Sequence, residues 1–316
     1  MRIAETTIAT EPPSSEPQFA MHDGHDGDLP PFERALHRIF LSPDGLRPIW
    51  RLAAAVALYN LLVFVIEMLL ATDPAVWAWM RTRSRAVLTP GVVLFSEGIR
   101  VVAAMATGDL MRRIENRSFA DYGLSLRMAF GKRFWQGAAF GFALLTVLMG
   151  SIASLGGFSL GGVVLDAAAA IRYGVLYLLA FLLVGFFEEA TFRGYMQATL
   201  AQEIGFWPAA LALSIWFGLL LAGCFGLLAA FSLRRTGSIW FAIGMHAAWD
   251  WGESFVCGVP NSGVPASGHL TAASLHGPVW LTGGSVGPEG SALVFAVIGL
   301  GALGLHLLFP SAPMKS

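Results

Sequence analysis

The chain opens on a polar stretch and then repeats one pattern, a long apolar run followed by a short polar connector. The first 46 residues are rich in Pro, Asp and Glu and lack the basic start and apolar run of a signal peptide, so they read as a disordered extramembrane tail. The apolar run at 52–71 has Glu67 as its single charge, and the run at 91–111 contains Glu97 and Arg100. Those two stand at i,i+3 on a helix, where they can neutralise each other. A third run covers 134–155, and a fourth, 163–187, carries Asp166 and Arg172 early and is uncharged from 173 onward. Runs at 207–233, 238–256 and 291–308 follow. A membrane-crossing helix needs about 20 apolar residues. The pattern therefore predicts an all-α polytopic membrane helix bundle of about six to seven transmembrane helices, over residues 47–310.

Composition agrees: 55% of the residues are hydrophobic and 13% charged, with a mean hydropathy of +0.63. Ordinary soluble domains carry roughly 25% charged residues. A net charge of −1 without a basic patch gives no expectation of nucleic-acid binding. Two cysteines, Cys224 and Cys257, are too few for a disulfide framework or a cysteine metal site. His22, His25, Asp23, Asp26 and Asp28 in the tail read as solvated residues.

Loop charges orient the bundle. The connector 112–133 carries six Lys/Arg and the tail region has Arg34, Arg38, Arg47 and Arg51, so both are expected in the cytoplasm with two spans between them. The Gly-rich loop 257–290 has neither Lys nor Arg and is expected on the far side, with Lys315 returning to the cytoplasm. Arg81, Arg83 and Arg85 run against this scheme. It gives a multi-pass protein of the cell membrane with a cytoplasmic N-terminus. One stretch does not close: 207–233 is 27 uncharged residues between arginines that both belong inside. Two crossings need about 40 residues. The stretch is therefore either one long tilted helix or two half-depth pieces.

At the end of the fourth run stand Glu188, Glu189 and Arg193. Charges at bilayer depth are costly, face a bundle interior and mark function. Glu189 and Arg193 are i,i+4 and can pair, while Glu188 projects about 100° away. One carboxylate can be held while the other stays free for proton chemistry. A helix end at the membrane interface with an ordinary ion pair fits the same residues. In the run 238–256, His246 and Asp250 are also i,i+4, so the acid could fix the imidazole tautomer.

These residues bear a resemblance. Glu188-Glu189-x-x-x-Arg193 followed by Gly-Tyr resembles the first motif of the CAAX protease and bacteriocin-processing family, which includes the type II CAAX prenyl endopeptidases. Arg235-Thr236-Gly237-Ser238-Ile239-Trp240 and then His246-x-x-x-Asp250 resemble the last motif, and Trp280-Leu281-Thr282-Gly283-Gly284 with Gly287-Pro288-Glu289 is similar to one bacterial branch. The resemblance spans about 90–290, with a protease-like core at about 134–256. It implies an intramembrane endopeptidase that hydrolyses peptide bonds with glutamate-activated water. In that reading Glu188 activates the water, Glu189 and Arg193 are the supporting pair that fixes the helix end, and His246 and Asp250 steady the oxyanion or orient the water. The partners implied are the lipid bilayer and a peptide or membrane-protein substrate.

The resemblance breaks at the second motif, Phe-x-x-x-His. Phe217 is present, Leu221 stands where the histidine belongs, and no histidine occurs between His37 and His246. The histidine, the loop after it and the start of the next helix are read as missing together, in the stretch whose topology does not close. Impaired catalysis is the expectation, since general-base assistance is worth about 10²–10⁴-fold. A non-catalytic membrane scaffold of the same fold is the alternative. A transporter lined by Glu67, Glu97, Arg100, Asp166 and Arg172 ranks lower, because no internal repeat is visible. Two glutamates and a histidine could ligate zinc, but a catalytic zinc usually has three protein ligands. A metal-independent mechanism with no cofactor is expected. Loop 257–290 reads as irregular and exposed, a cap over the bundle mouth, with His269 and His276 at its surface.

Overall fold

The computed structural model describes residues 30–310 except 43–44, 84–85 and 219–220. Residues 1–29, with the His22/His25 group, and 311–316, with Lys315, lie outside the described residues. The chain divides into two compact units, Met1–Arg47 and Pro48–Ser316. In the first, helix α1 (Pro31–Phe40) is followed by an antiparallel pair of two-residue strands, Leu41–Ser42 and Gly45–Leu46. This part of the presumed tail is thus helical rather than structureless.

The second unit is a helix bundle. Helices α2 (Pro48–Leu70), α4 (Pro90–Ile114) and α5 (Lys132–Ser154) have 23, 25 and 23 residues. At 1.5 Å per residue each exceeds the ~30 Å hydrocarbon core. Large side chains such as Leu61, Phe64 and Leu69 of α2 are exposed, as lipid contact requires. The short α3 (Pro74–Thr82) starts where Pro74 fits the first turn and the Asp73 carboxylate accepts the amides of Ala75 and Val76 at 2.8 and 3.1 Å. Glu97 and Arg100 pair at 2.6 Å, as their spacing predicts.

Helix α6 (Ala167–Glu188) starts at Asp166, whose carboxylate accepts the Ala169 amide at 2.8 Å. Asp166 is therefore a helix cap. The helix does not stop at the glutamates. It passes through a π-helical stretch, Glu189–Met196, into α7 (Gln197–Ile204), giving one helix of 38 residues, Ala167–Ile204. The expected helix end at the motif is corrected: Glu189 and Arg193 lie mid-helix. These four helices are long and apolar enough to cross a membrane.

The stretch that did not close is a broken hairpin. Helix α8 (Phe206–Phe217) and α9 (Leu221–Thr236) have 12 and 16 residues, too short for one crossing each. They run antiparallel, with Trp207 against Phe231 and the Arg234 guanidinium over Phe206. A Cβ on Gly223 of α9 would lie 2.9 Å from the Ser214 carbonyl oxygen of α8, so glycine is what lets the two backbones meet. Of the two geometries open to this stretch, the chain takes the two shorter pieces.

Helix α10 (Ile239–Trp251) opens at Ser238, whose hydroxyl accepts the Trp240 amide, and continues into a second π-helical stretch, Gly252–Val256. It is the most enclosed helix. Gly137 and Gly141 on α5 and Gly244 on α10 face the opposite backbone, and a Cβ on any of them would overlap Phe241, Met245 or Phe134 main-chain atoms. Gly137 and Gly141 stand at the small-xxx-small spacing that brings membrane helices into backbone contact. Leu145, Leu148 and Ile152 of α5 pack there with Phe241, Met245 and Trp249 of α10, joined by α12 (Leu293–Leu308) through Val297 and Leu305.

Two non-helical regions clamp the bundle. In connector 112–133, Glu115 receives the Tyr122 and Tyr195 hydroxyls at 3.2 and 2.7 Å and pairs with Arg51 at 3.3 Å. Loop 257–290, expected to be irregular, is tied down. It includes α11 (Val279–Thr282), pairs Ser274–Leu275 with Phe158–Ser159, and exchanges main-chain bonds with Leu88 through Pro265 and Ser267. The Tyr177 hydroxyl of α6 donates to both Leu88 and Ser267 carbonyls, at 2.8 and 2.6 Å.

Candidate active site

The chemistry-bearing residues of α6 and α10 converge because those helices cross at small residues. A Cβ on Gly185 would sit 3.1 Å from the Ile243 carbonyl and 3.4 Å from the His246 Cβ, so the glycine places the Glu-Glu turn beside His246. The π-helical stretch begins at Glu189, one residue after Glu188. Such stretches are rare and recur at functional sites, where they re-aim side chains.

The two glutamates have different surroundings. Glu189 is 0% exposed, and its Oε1 accepts the Arg193 guanidinium at 3.3 Å and the His246 Nδ1–H at 3.0 Å. The Glu188 side chain is 24% exposed and lines a cavity of about 620 Å³. Its Oε2 lies 3.7 Å from His246 Nε2, and Asp250 Oδ2 lies 3.5 Å from the same nitrogen. Both distances exceed an ordinary hydrogen bond, and a water on the cavity side, off the line between the atoms, could contact Glu188 and His246 together. The Phe225 ring of α9 packs edge-on to the imidazole. All five residues anticipated from the motifs (Glu188, Glu189, Arg193, His246 and Asp250) are brought together.

The region around position 221 adds no charged group here. The Gly218 backbone of the hairpin break lines the cavity, and the side chain of Leu221 lies outside the described residues. The opposite wall comes from loop 257–290, through Asn261, Ser262, Val286 and Glu289.

Sequence reasoning left two residues out of the site, Glu253 unnamed and Glu289 named only within Gly287-Pro288-Glu289. Glu253 is 0% exposed in the second π-helical stretch and accepts the Trp249 indole N–H at 3.1 Å. Glu289 reaches the cavity from the loop, where the Ser262 amide and hydroxyl donate to its Oε2 at 3.0 and 2.9 Å. Burial pushes its carboxyl above the usual range. Both had a signal: Glu253 follows Asp250 by three residues on one helix face, and Glu289 is the lone acid of a 34-residue loop, 257–290.

This arrangement offers a carboxylate and an imidazole edge facing each other in a cavity, with the imidazole held through Nδ1 by Glu189. That is the equipment for moving a proton to and from water. Residues 170–252, which contain both motif pairs, match a family model described as Type II CAAX prenyl endopeptidase Rce1-like. That segment is similar to the Rce1-like type II CAAX prenyl endopeptidase domain of the wider CAAX protease and bacteriocin-processing group. No curated protein and no solved structure matches the chain.

Proposed function

We propose that the protein is an intramembrane endopeptidase that hydrolyses peptide bonds with water held between Glu188 and His246. The observation that carries this reading is the 3.7 Å gap between Glu188 Oε2 and His246 Nε2 at the wall of a 620 Å³ cavity, inside the family-matched segment. Glu188 takes a proton from the water, and the hydroxide adds to the scissile carbonyl. The imidazolium form, tethered through Nδ1–H to Glu189, presents its Nε2–H to the oxyanion. Glu188 then returns the proton to the leaving amine. Arg193 pairs with Glu189 and holds it in place, and Asp250 steadies the imidazole through its approach to Nε2. The reaction is slow relative to an enzyme with a second histidine on the water. The chain crosses the membrane six or seven times, with connector 112–133 cytoplasmic and loop 257–290 on the far side.

The test is hydrolysis of a quenched-fluorescence peptide library by the full chain in detergent or vesicles. Glu188→Gln should lower the rate at least about 10²-fold while leaving the thermal midpoint unchanged. A wild-type rate no higher than that of Glu188→Gln would overturn the reading. The outcome would then favour the scaffold role, which Leu221 at the second-motif position supports.

A further inference from the structure

Behind the His246 side of the cavity lies a second cluster. One oxygen from each of Asp250, Glu253 and Glu289 lies within 4.8 Å of the others. The Trp249 indole donates to Glu253 Oε2 and Ser262 donates to Glu289 Oε2, while Asp250 Oδ2 lies 3.5 Å from His246 Nε2. The other oxygen of Glu253, Oε1, is fully buried and has no hydrogen-bond partner. Among the described residues no Lys or Arg forms an ion pair with any of the three. A buried carboxylate oxygen left unpaired beside two further carboxylates is costly and calls for positive charge at that point.

We propose that Asp250, Glu253 and Glu289 bind a divalent cation of the hard, oxygen-preferring class, to which Mg²⁺, Mn²⁺ and Ca²⁺ belong. The donor set is all carboxylate, without sulfur or a free imidazole nitrogen, which selects against soft metals. Three protein oxygens leave coordination positions open, and the cavity lined by Asp250 and Glu289 gives water access to fill them. Trp249 and Ser262 fix the ligand orientation from outside, as partners of metal ligands commonly do. Asp250 lies inside the matched segment 170–252 and Glu253 and Glu289 outside it.

The test uses the full chain in detergent, stripped by chelator and titrated with Mn²⁺ alone, with free Mn²⁺ read by electron paramagnetic resonance. One Mn²⁺ per chain is expected, retained in Glu188→Gln. Binding should weaken at least tenfold in Glu253→Gln and in Glu289→Gln, and about tenfold in Trp249→Phe. Glu289→Gln sits on the loop and serves if the buried Glu253→Gln variant does not fold. Absence of stoichiometric binding in the folded wild type, or an affinity unchanged in both glutamine variants, overturns the proposal. The readout is independent of peptide hydrolysis, so it stands or falls apart from the protease reading.

Discussion

Gly141→Ala on α5 tests whether the packing against α10 sets the site. A Cβ there would lie 2.8 Å from both the Cα and the carbonyl carbon of Met245, and closer still to its oxygen. Ordinary contact begins at 3.4 Å, so the carbon atoms alone require the two backbones to part by about 0.6 Å. Neither partner is a flexible side chain that can swing away. Overpacking of this kind costs about 1–3 kcal/mol. For chains of 150–250 residues each kcal/mol is worth about 2–4 °C in midpoint, so a fall of roughly 2–12 °C is expected. His246 follows Met245 directly, and a displacement of about 1 Å at a reacting group can cost 10²-fold in rate. Hydrolysis should therefore fall by at least tenfold in protein that remains folded at the assay temperature. Gly150→Ala is the control on the same helix, where an added Cβ meets nothing within 4 Å. It should be neutral or stabilising by up to about 1 kcal/mol, since alanine is the better helix former. The assay is thermal unfolding followed by tryptophan fluorescence, paired with peptide hydrolysis. Equal midpoints and equal rates for Gly141→Ala and Gly150→Ala would refute the close crossing and its role in placing His246.

Two further outcomes follow from other contacts. Arg193→Gln removes the guanidinium from a carboxylate that is 0% exposed, and breaking a buried pair costs about 3–5 kcal/mol; thermal unfolding should show that loss, and a midpoint within 2 °C of wild type would contradict the pairing. In connector 112–133, hydrogen bonds from the Ser118 amide (2.7 Å) and hydroxyl (2.9 Å) hold the Asp121 carboxyl below its usual range. A depressed folded-state value means this stabilisation is present above the unfolded carboxyl value of about 3.9 and is lost as pH falls through the lower folded one. Asp121→Asn should thus cost about 0.5 kcal/mol near neutrality, the low end for a cap because the group is exposed, with the difference fading below about pH 4. Amide exchange over 118–124 reads it, and a pH-independent difference would disprove the capping role.

Much of the bundle was legible because lipid imposes one simple rule, a run of about 20 apolar residues per crossing. The first four runs, 52–71, 91–111, 134–155 and 163–187, all fall on helices long enough to cross. What hydropathy could not give was the continuation of the fourth helix through Glu188, Glu189 and Arg193 to Ile204. The charges and the polar residues after them look like an exit from the membrane, but Glu189 lies inside the bundle against Arg193 and His246. The π-helical widening that accommodates them has no composition signature. The hairpin α8–α9 was legible as a mismatch in length and not as a shape. Loop 257–290 was the least legible part, because glycines such as Gly258 and Gly287 mark backbone turns without saying where the chain between them goes. Its order comes from distant partners, Leu88, Tyr177 and the 158–164 segment, that no local pattern names.

Glu253 goes unnamed and Glu289 is read only as part of Gly287-Pro288-Glu289, for a related reason: attention to paired motifs stops at the pair. Their placement changes how Asp250 is understood. An aspartate beside a histidine ordinarily serves that histidine alone, yet Asp250 stands between His246 Nε2 at 3.5 Å and the carboxylates of Glu253 and Glu289. Whatever neutralises those two acids therefore acts on the imidazole through Asp250. With a cation bound there, Asp250 is drawn toward the metal, and Nε2 is left to Glu188 and the water between them. Without one, Asp250 competes with Glu188 for the same nitrogen. On the two proposals made above, a cation at the acidic cluster and the water at Glu188 would both act on His246 Nε2, the first of them through Asp250.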